Sequence, residues 1–193
     1  MIRRHSTRLM VVAALLCWTG ALSAADKSVE QLAKEGHWGQ GPEQWEAHSK
    51  LLNQPAPKLE LSNWVGNEIK PADMKGKILV VDYWATWCGP CIAAIPKNNA
   101  IAKKYAENGV LVIGACGSGR GEEKMKDVAT SKNMEYPTAQ VAAASTKAWG
   151  VMWWPHYVVV DRKGNIRAAG VRPDFIEPIV QAIMKEQGDK PAK

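Results

Sequence analysis

The sequence predicts an α/β domain built on a central mixed β-sheet flanked by helices, with a helical extension ahead of it. Three observations predict it. Two near-continuous apolar, β-branched runs, "KILVVDYWA" at 77–85 and "GVLVIGAC" at 109–116, have the make-up of strands buried on both faces. Each is followed by a helical pattern, over 90–108 and over "GEEKMKDVATSKN". Finally, "PHYVVVDRKGNIRAAG" reads as a hairpin turning across Asp161 to Gly164, which adds an antiparallel edge to an otherwise parallel sheet.

The first 25 residues stand apart. A basic start with Arg3, Arg4 and Arg8, an apolar run over 9–18 and the small-residue stretch "TGALSAA" follow the order of a secretory signal peptide. The apolar run is shorter than the roughly 20 residues of a spanning helix, so cleavage near Asp26 is expected rather than a membrane anchor, although an anchored form is the alternative. Without this leader the formal charge falls from +6 to +3, because the segment carries three arginines and no acid. The remaining lysines alternate with glutamates, as in "EEKMKD", and no nucleic-acid motif is present, so no nucleic-acid partner is expected.

Residues 26–56 are expected to form an N-terminal helical extension, with helices in "SVEQLAKEG" and "PEQWEAHSKLL" separated by the glycine-rich "GHWGQGP". The main domain is expected over 57–188, with 189–193 as a flexible tail. Within it, "APKLELSNWVGNEIKPADMKGK" reads as a short hairpin with turns at Gly66 and Gly76. "YPTAQV" is a short extended piece, "STKAWGV" a turn of helix, and "DFIEPIVQAIMKEQ" a closing amphipathic helix with Pro178 in its first turns.

The chemistry concentrates in "WATWCGPCIAAIP", where a buried strand gives way to a helix. A structural zinc site needs four ligands, and Cys116, His37, His48 and His156 offer no second half-site to Cys88 and Cys91. A disulfide closing so short a loop removes little entropy from the unfolded chain and is a poor staple. A redox pair explains the spacing better. Residues three apart on a helix have α-carbons about 5 Å apart, within the range of a disulfide, so the bond can open and close with little backbone movement. Amide N–H groups at the helix start favour a thiolate at Cys88. Lowering a thiol pKa from about 8.5 to about 7 raises the thiolate fraction at neutral pH roughly fifteen-fold, and the accompanying loss of nucleophilicity returns roughly a factor of five. The larger advantage is an exposed Cys88 that leaves easily when Cys91 attacks.

The segment "VVDYWATWCGPC" resembles the active-site segment of the thioredoxin superfamily, and within it the secreted TlpA-like thiol-disulfide oxidoreductases, over about 59–187. Trp87 precedes the first cysteine, Asp82 lies six residues ahead of it, and Pro96 falls at the place of the family's helix kink. "WGVMWWPHYVVVDRKGNI" is similar to the stretch carrying the family's cis-proline, which makes Pro155 the candidate, and Gly170 fits the glycine after the last strand.

The resemblance implies a thioredoxin-like fold and three catalytic residues: Cys88 as nucleophile, Cys91 as resolving thiol and Asp82 as its proton acceptor, with a carboxyl pKa raised by burial. It implies substrate contacts at Trp87, Trp154 and Pro155, with Trp153 also around the dithiol and the Trp154 backbone pairing with an extended substrate segment. No metal and no cofactor is called for. The expected partners are proteins with disulfides or cysteine pairs, together with a membrane electron donor.

The sequence departs from the family in three places. Ala94 stands where TlpA-like proteins usually have glutamate, and His156 follows the proline where threonine is common, either packed in a strand or making the potential pH-sensitive. Cys116 is expected to be a buried inert thiol, with an alternative or mixed disulfide as the minority reading. The Gly-Pro between the cysteines resembles that of strongly reducing relatives, which implies reduction of substrates, and the leader implies an extracytoplasmic compartment. The alternatives are a DsbA-like thiol oxidase, since potentials on this scaffold span about −270 to −120 mV, and a non-catalytic copper-binding module using Cys88, Cys91 and His156.

Overall fold

The structure is a computed structural model that describes residues 27–39 and 41–188. The expected signal peptide and the last five residues lie outside the described residues. A six-stranded mixed sheet organises the chain in the order β1-β4-β3-β2-β5-β6. At its centre lie β2 (Ile78–Trp84), buried along its whole length, and β3 (Val110–Cys116), which runs parallel to it. β4 (Thr138–Val141) extends the parallel portion, and β1 (Leu61–Val65) closes that edge antiparallel to β4. On the other side, β5 (His156–Val160) and β6 (Ile166–Val171) form the hairpin read from the sequence, with β5 antiparallel to β2.

The predicted hairpin in 56–77 is not what forms. Only one strand, β1, comes from that stretch, and the second half winds into a short helix, α3 (Pro71–Met74). Pro71 opens this helix without forfeiting a hydrogen bond, and the Asp73 carboxylate accepts from the Lys70 N–H at 2.9 Å. The alternation that reads as one arm of a local hairpin serves a long-range pairing instead.

Two helices from the N-terminal extension, α1 (Val29–Gly36) and α2 (Pro42–Ser49), form where the patterns place them. A capping box starts α1: Gln31 N–H donates to Ser28 Oγ at 3.2 Å, and Ser28 N–H donates to Gln31 Oε1 at 2.9 Å. Val29, Leu32, Ala33 and Gly36, at helical spacing, are buried. They join one core with β2, β3, β5, β6, α4 (Gly89–Lys104) and α7 (Pro173–Glu186), so α1 completes the main core rather than standing apart. Burying side chains such as Val29 and Leu32 contributes roughly 1.5–3 kcal/mol each.

Alternation along β2 divides the molecule. Ile78 and Val80 face the core under α1, α4 and α7, whereas Leu79, Val81 and Tyr83 face a second core with Trp149, Val158 and Ile166. Smaller elements complete the other layers: a 3-10 turn at Glu122–Lys124, α5 (Met125–Ser131) and α6 (Ala143–Ala148). No helix among the described residues is long and apolar enough to cross a membrane.

Candidate active site

Where β2 ends, Cys88 caps α4: its Sγ accepts the N–H of Cys91 at 3.2 Å, one of the helix's otherwise free amides. Cys88 and Cys91 form a disulfide, with α-carbons 5.3 Å apart, in line with the helical spacing read from the sequence. Gly89 and Pro90 occupy the first turn, where proline gives up no hydrogen bond.

The expected exposure of Cys88 is corrected: in the disulfide it is only 3% exposed, packed with Trp84, Ala85, Cys91, Cys116 and Met125, and with Trp154 laid partly over the group. The exposed residue is its neighbour Trp87, at 48%. Trp87 Nε1 donates to Ser118 Oγ at 3.0 Å, the Arg120 guanidinium lies 4.6 Å above its ring, and Trp154 sits 6.3 Å away, centroid to centroid. Glu122 organises this loop by accepting the N–H groups of Ser118, Gly119 and Arg120, which hold its carboxyl below the usual range despite a counteracting desolvation. The peptide bond from Trp154 to Pro155 is cis, as the resemblance implies.

Asp82 is fully buried beneath the dithiol helix, which rules out a solvated strand-end carboxylate. Its Oδ2 accepts from Asn98 Nδ2 at 2.9 Å and from the Tyr136 hydroxyl at 2.8 Å, and Asn98 Nδ2 also reaches the Tyr157 hydroxyl at 2.9 Å. Desolvation pushes the carboxyl up to about 7, against the pull of the hydrogen bonds from Tyr136, Tyr157 and Asn98. Asn98 lies on the buried face of α4, seven residues beyond Cys91 and therefore on the same side of the helix. Asn98, Tyr136 and Tyr157 were not legible as site residues, although a polar side chain on an otherwise apolar helix face is the one signal that marks Asn98.

Trp153 and Gly170 need correcting, and His156 takes the first of its two readings. Trp153 does not flank the dithiol; its ring packs 5.7 Å from His37, 5.3 Å from His48 and 5.5 Å from His156. His156 is a packed strand residue with no exposure, set edge-on against the rings of His48 and Tyr83. Gly170 lies within β6 rather than after it. Cys116 is a free, buried thiol whose pKa burial raises to about 12, the inert outcome expected for it. Among the described residues no group of three or more His, Cys, Asp or Glu is arranged to hold a metal ion.

The histidines instead form a one-way hydrogen-bond chain. Gly39 N–H donates to His37 Nδ1 at 3.1 Å, so His37 carries its hydrogen on Nε2, which donates to His48 Nδ1 at 2.7 Å. His48 Nε2–H then donates to the Gly150 carbonyl at 2.8 Å. A second proton on either ring would set two donors against each other. Burial first, then the neighbouring His48, lowers the His37 pKa to about 4, and burial also lowers that of His48.

The Redoxin family model matches residues 51–183. The chain belongs to the Redoxin family. Among curated relatives of this Redoxin chain, the thiol-disulfide oxidoreductase ResA of Bacillus thuringiensis subsp. konkukian is 28% identical over 116 residues, covering 60% of this chain and 66% of ResA. The thioredoxin-like protein YneN of Bacillus subtilis is 27% identical over 115 residues, covering 59% of this chain and 68% of YneN. Redoxin-like architecture is shared with solved structures. A thioredoxin-family thiol:disulfide interchange protein of Chlorobium tepidum TLS has TM-score 0.57 at 26% identity, covering 67% of this chain and 95% of its own. The thioredoxin domain of a Bacteroides vulgatus thiol-disulfide oxidoreductase has TM-score 0.59 at 21% identity, covering 72% and 98%. The fold is therefore thioredoxin-like, with the mixed sheet and flanking helices predicted from the sequence.

Proposed function

We propose that the protein is an extracytoplasmic thiol-disulfide oxidoreductase that reduces disulfides in partner proteins through a Cys88/Cys91 dithiol–disulfide cycle. The observation that carries this is the Cys88 sulfur at the α4 N-cap, accepting an amide N–H, within disulfide reach of a cysteine one turn further in. A sulfur so placed is stabilised as a thiolate by the free amides and the helix dipole. In the reduced protein it attacks one sulfur of a partner's disulfide, and the other sulfur leaves as a thiolate. Cys91 then attacks Cys88, and the second partner thiolate is released.

Asp82 is the group placed to take the Cys91 proton, because burial moves its carboxyl into the neutral range where it can both accept and release. Trp87 and Trp154 offer flat apolar surface beside Cys88, and Pro155 follows them at the start of β5. The leader sequence supports export, and the Gly-Pro pair between the cysteines supports the reducing direction. Repeated turnover in that direction needs an electron donor outside the cell interior, for which a membrane protein is the natural source.

Turnover of insulin disulfides in the presence of dithiothreitol tests the reading. Cys88→Ser is expected to abolish catalysis, and Cys91→Ser to accumulate mixed disulfides with partner proteins on Cys88. Full activity in Cys88→Ser would end the proposal, and an equilibrium potential near −120 mV would turn the direction to oxidation.

A further inference from the structure

The two oxygens of Asp82 are treated differently by their surroundings. Oδ2 accepts from Asn98 Nδ2 and the Tyr136 hydroxyl, while Oδ1 is buried with no hydrogen-bond partner. Asn98 has two amide hydrogens: one goes to Oδ2 and the other to the Tyr157 hydroxyl, with Tyr136 closing the triangle at 3.1 Å. When Asp82 is ionised its oxygens can only accept, so the Asn98 amide nitrogen is the end that faces it. A buried polar atom without a partner destabilises the fold, so it marks either a defect or a functional position.

We propose that Asn98, Tyr136 and Tyr157 are positioning residues: they occupy Oδ2 of Asp82 and fix the carboxylate so that Oδ1 receives the Cys91 proton. This rests on the dithiol reading above and adds to it how the proton acceptor is set. In the resolving step Cys91 Sγ–H gives its proton to Oδ1, directly or through one water. The Cys91–Cys88 bond forms, the bond from Cys88 to the partner sulfur breaks, and its electron pair leaves on the partner thiolate. Asp82 later returns the proton to solvent. No other oxidant or reductant is involved.

The network also decides when the acceptor is available. Desolvation alone would keep the acid protonated well past neutrality, and the donors to Oδ2 oppose it. The titratable groups facing Asp82 are uncharged at neutral pH: Tyr136 from the loop before β4, Tyr157 from β5 and Cys116 from β3. Burial raises the pKa of both tyrosines and of Cys116. The network thus does by hydrogen bonding what a nearby cation would do by charge.

The test uses the full mature chain, reduced and mixed with an aryl disulfide that releases one coloured thiolate when Cys88 attacks and a second when Cys91 resolves. The protonation of Asp82 is followed separately by infrared difference spectroscopy, with Asp82→Asn assigning the band. Tyr136→Phe is expected to raise the carboxyl titration by about one pH unit, the scale of one lost hydrogen bond to a charged group. It should slow the second release about 3- to 10-fold at neutral pH and restore the wild-type rate in alkali, which a merely structural lesion would not do. Tyr157→Phe should act in the same direction, and Asn98→Leu more strongly; if Asn98→Leu does not fold, the two Phe variants decide alone. An unmoved titration and unmoved pH profile in both Phe variants overturns the proposal. So does an unaltered second release in Asp82→Asn, although both would leave the dithiol reading intact. Only loss of the stepwise release itself, with Cys88→Ser still reacting as the wild type does, counts against that reading.

Discussion

Asp82 and His156 lie one step apart in the β2–β5 ladder, yet they belong to different faces and obey opposite rules. Asp82 pairs with Tyr157 across the strands and faces α4, whereas His156 pairs with Tyr83 and faces the histidine chain. Both sites bury the neutral form of an ionisable group. The acid keeps one oxygen free and titrates near neutrality. In His37 and His48 every ring nitrogen is committed, in a chain that ends on a backbone carbonyl. The first arrangement suits proton exchange, and the second suits a clamp that holds the N-terminal extension against the loop leading to Pro155.

The two sites also respond to pH with opposite sign. From the ordinary carboxyl value near 3.8 up to about 7, the folded state keeps a proton on Asp82 that the unfolded chain releases, so this group makes stability fall as pH rises. From about 4 to 6.5 the unfolded chain takes up a proton that folded His37 refuses, so stability rises with pH. Each proton contributes a slope of about 1.4 kcal/mol per pH unit, and over that shared window the acid offsets one histidine.

Removing the acid breaks the balance most strongly. Asp82→Asn is expected to stabilise the oxidised protein by about 4 kcal/mol at pH 8, from a carboxyl shifted from 3.8 to about 7. The gain should vanish near pH 4, where both forms are uncharged. Urea unfolding across this range checks it; a gain independent of pH would mean that packing rather than ionisation sets the difference.

How far each site was legible in the sequence follows the same division. Cys88, Cys91 and Asp82 could be placed because strand, turn and helix are contiguous there, and local pattern fixes local geometry. The companions of Asp82 could not, since Tyr136 and Tyr157 reach it from 54 and 75 positions away through the sheet order β4-β3-β2-β5. The histidine clamp was missed for the same reason: His48 meets Gly150 only because the extension folds back over the domain. Likewise β1 read as half of a hairpin because its true partner, β4, lies beyond six intervening elements. The tryptophan pattern misled in one respect, since adjacent Trp153 and Trp154 point to different neighbours, the first to the histidines and the second to the dithiol.

A second change tests the clamp from the glycine beneath it. Gly170 has φ +68, and a Cβ there would lie 2.5 Å from His48 Nδ1 and 3.1 Å from His37 Nε2. Gly170→Val combines a backbone conformation unfavourable to a β-branched residue with overlap against both rings. It is expected to cost about 3 kcal/mol and to expose α1 and α2 to protease before the rest of the chain. The Asp82 titration should stay where it is, because the substitution reaches only the opposite face of the sheet. Equal cleavage throughout the chain would show that the extension is not separately held.

The smallest effect belongs to His156, and its pH dependence runs opposite to that of Asp82. Both of its ring nitrogens are buried without a hydrogen-bond partner, and burial, with His48 and His37 nearby, holds its pKa well below the ordinary value. A leucine of similar size retains the packing against Trp153 and Tyr83 and removes two unsatisfied polar atoms. His156→Leu should therefore stabilise the protein by about 1–2 kcal/mol at pH 8. The gain should widen as pH falls below the ordinary histidine range, since the substitution removes a proton uptake open only to the unfolded chain. Insulin reduction at neutral pH should be unchanged, because the ring packs with the clamp and not with the dithiol. A loss of stability at both pH values would mean that the imidazole makes packing contacts with Trp153 and Tyr83 that leucine does not replace.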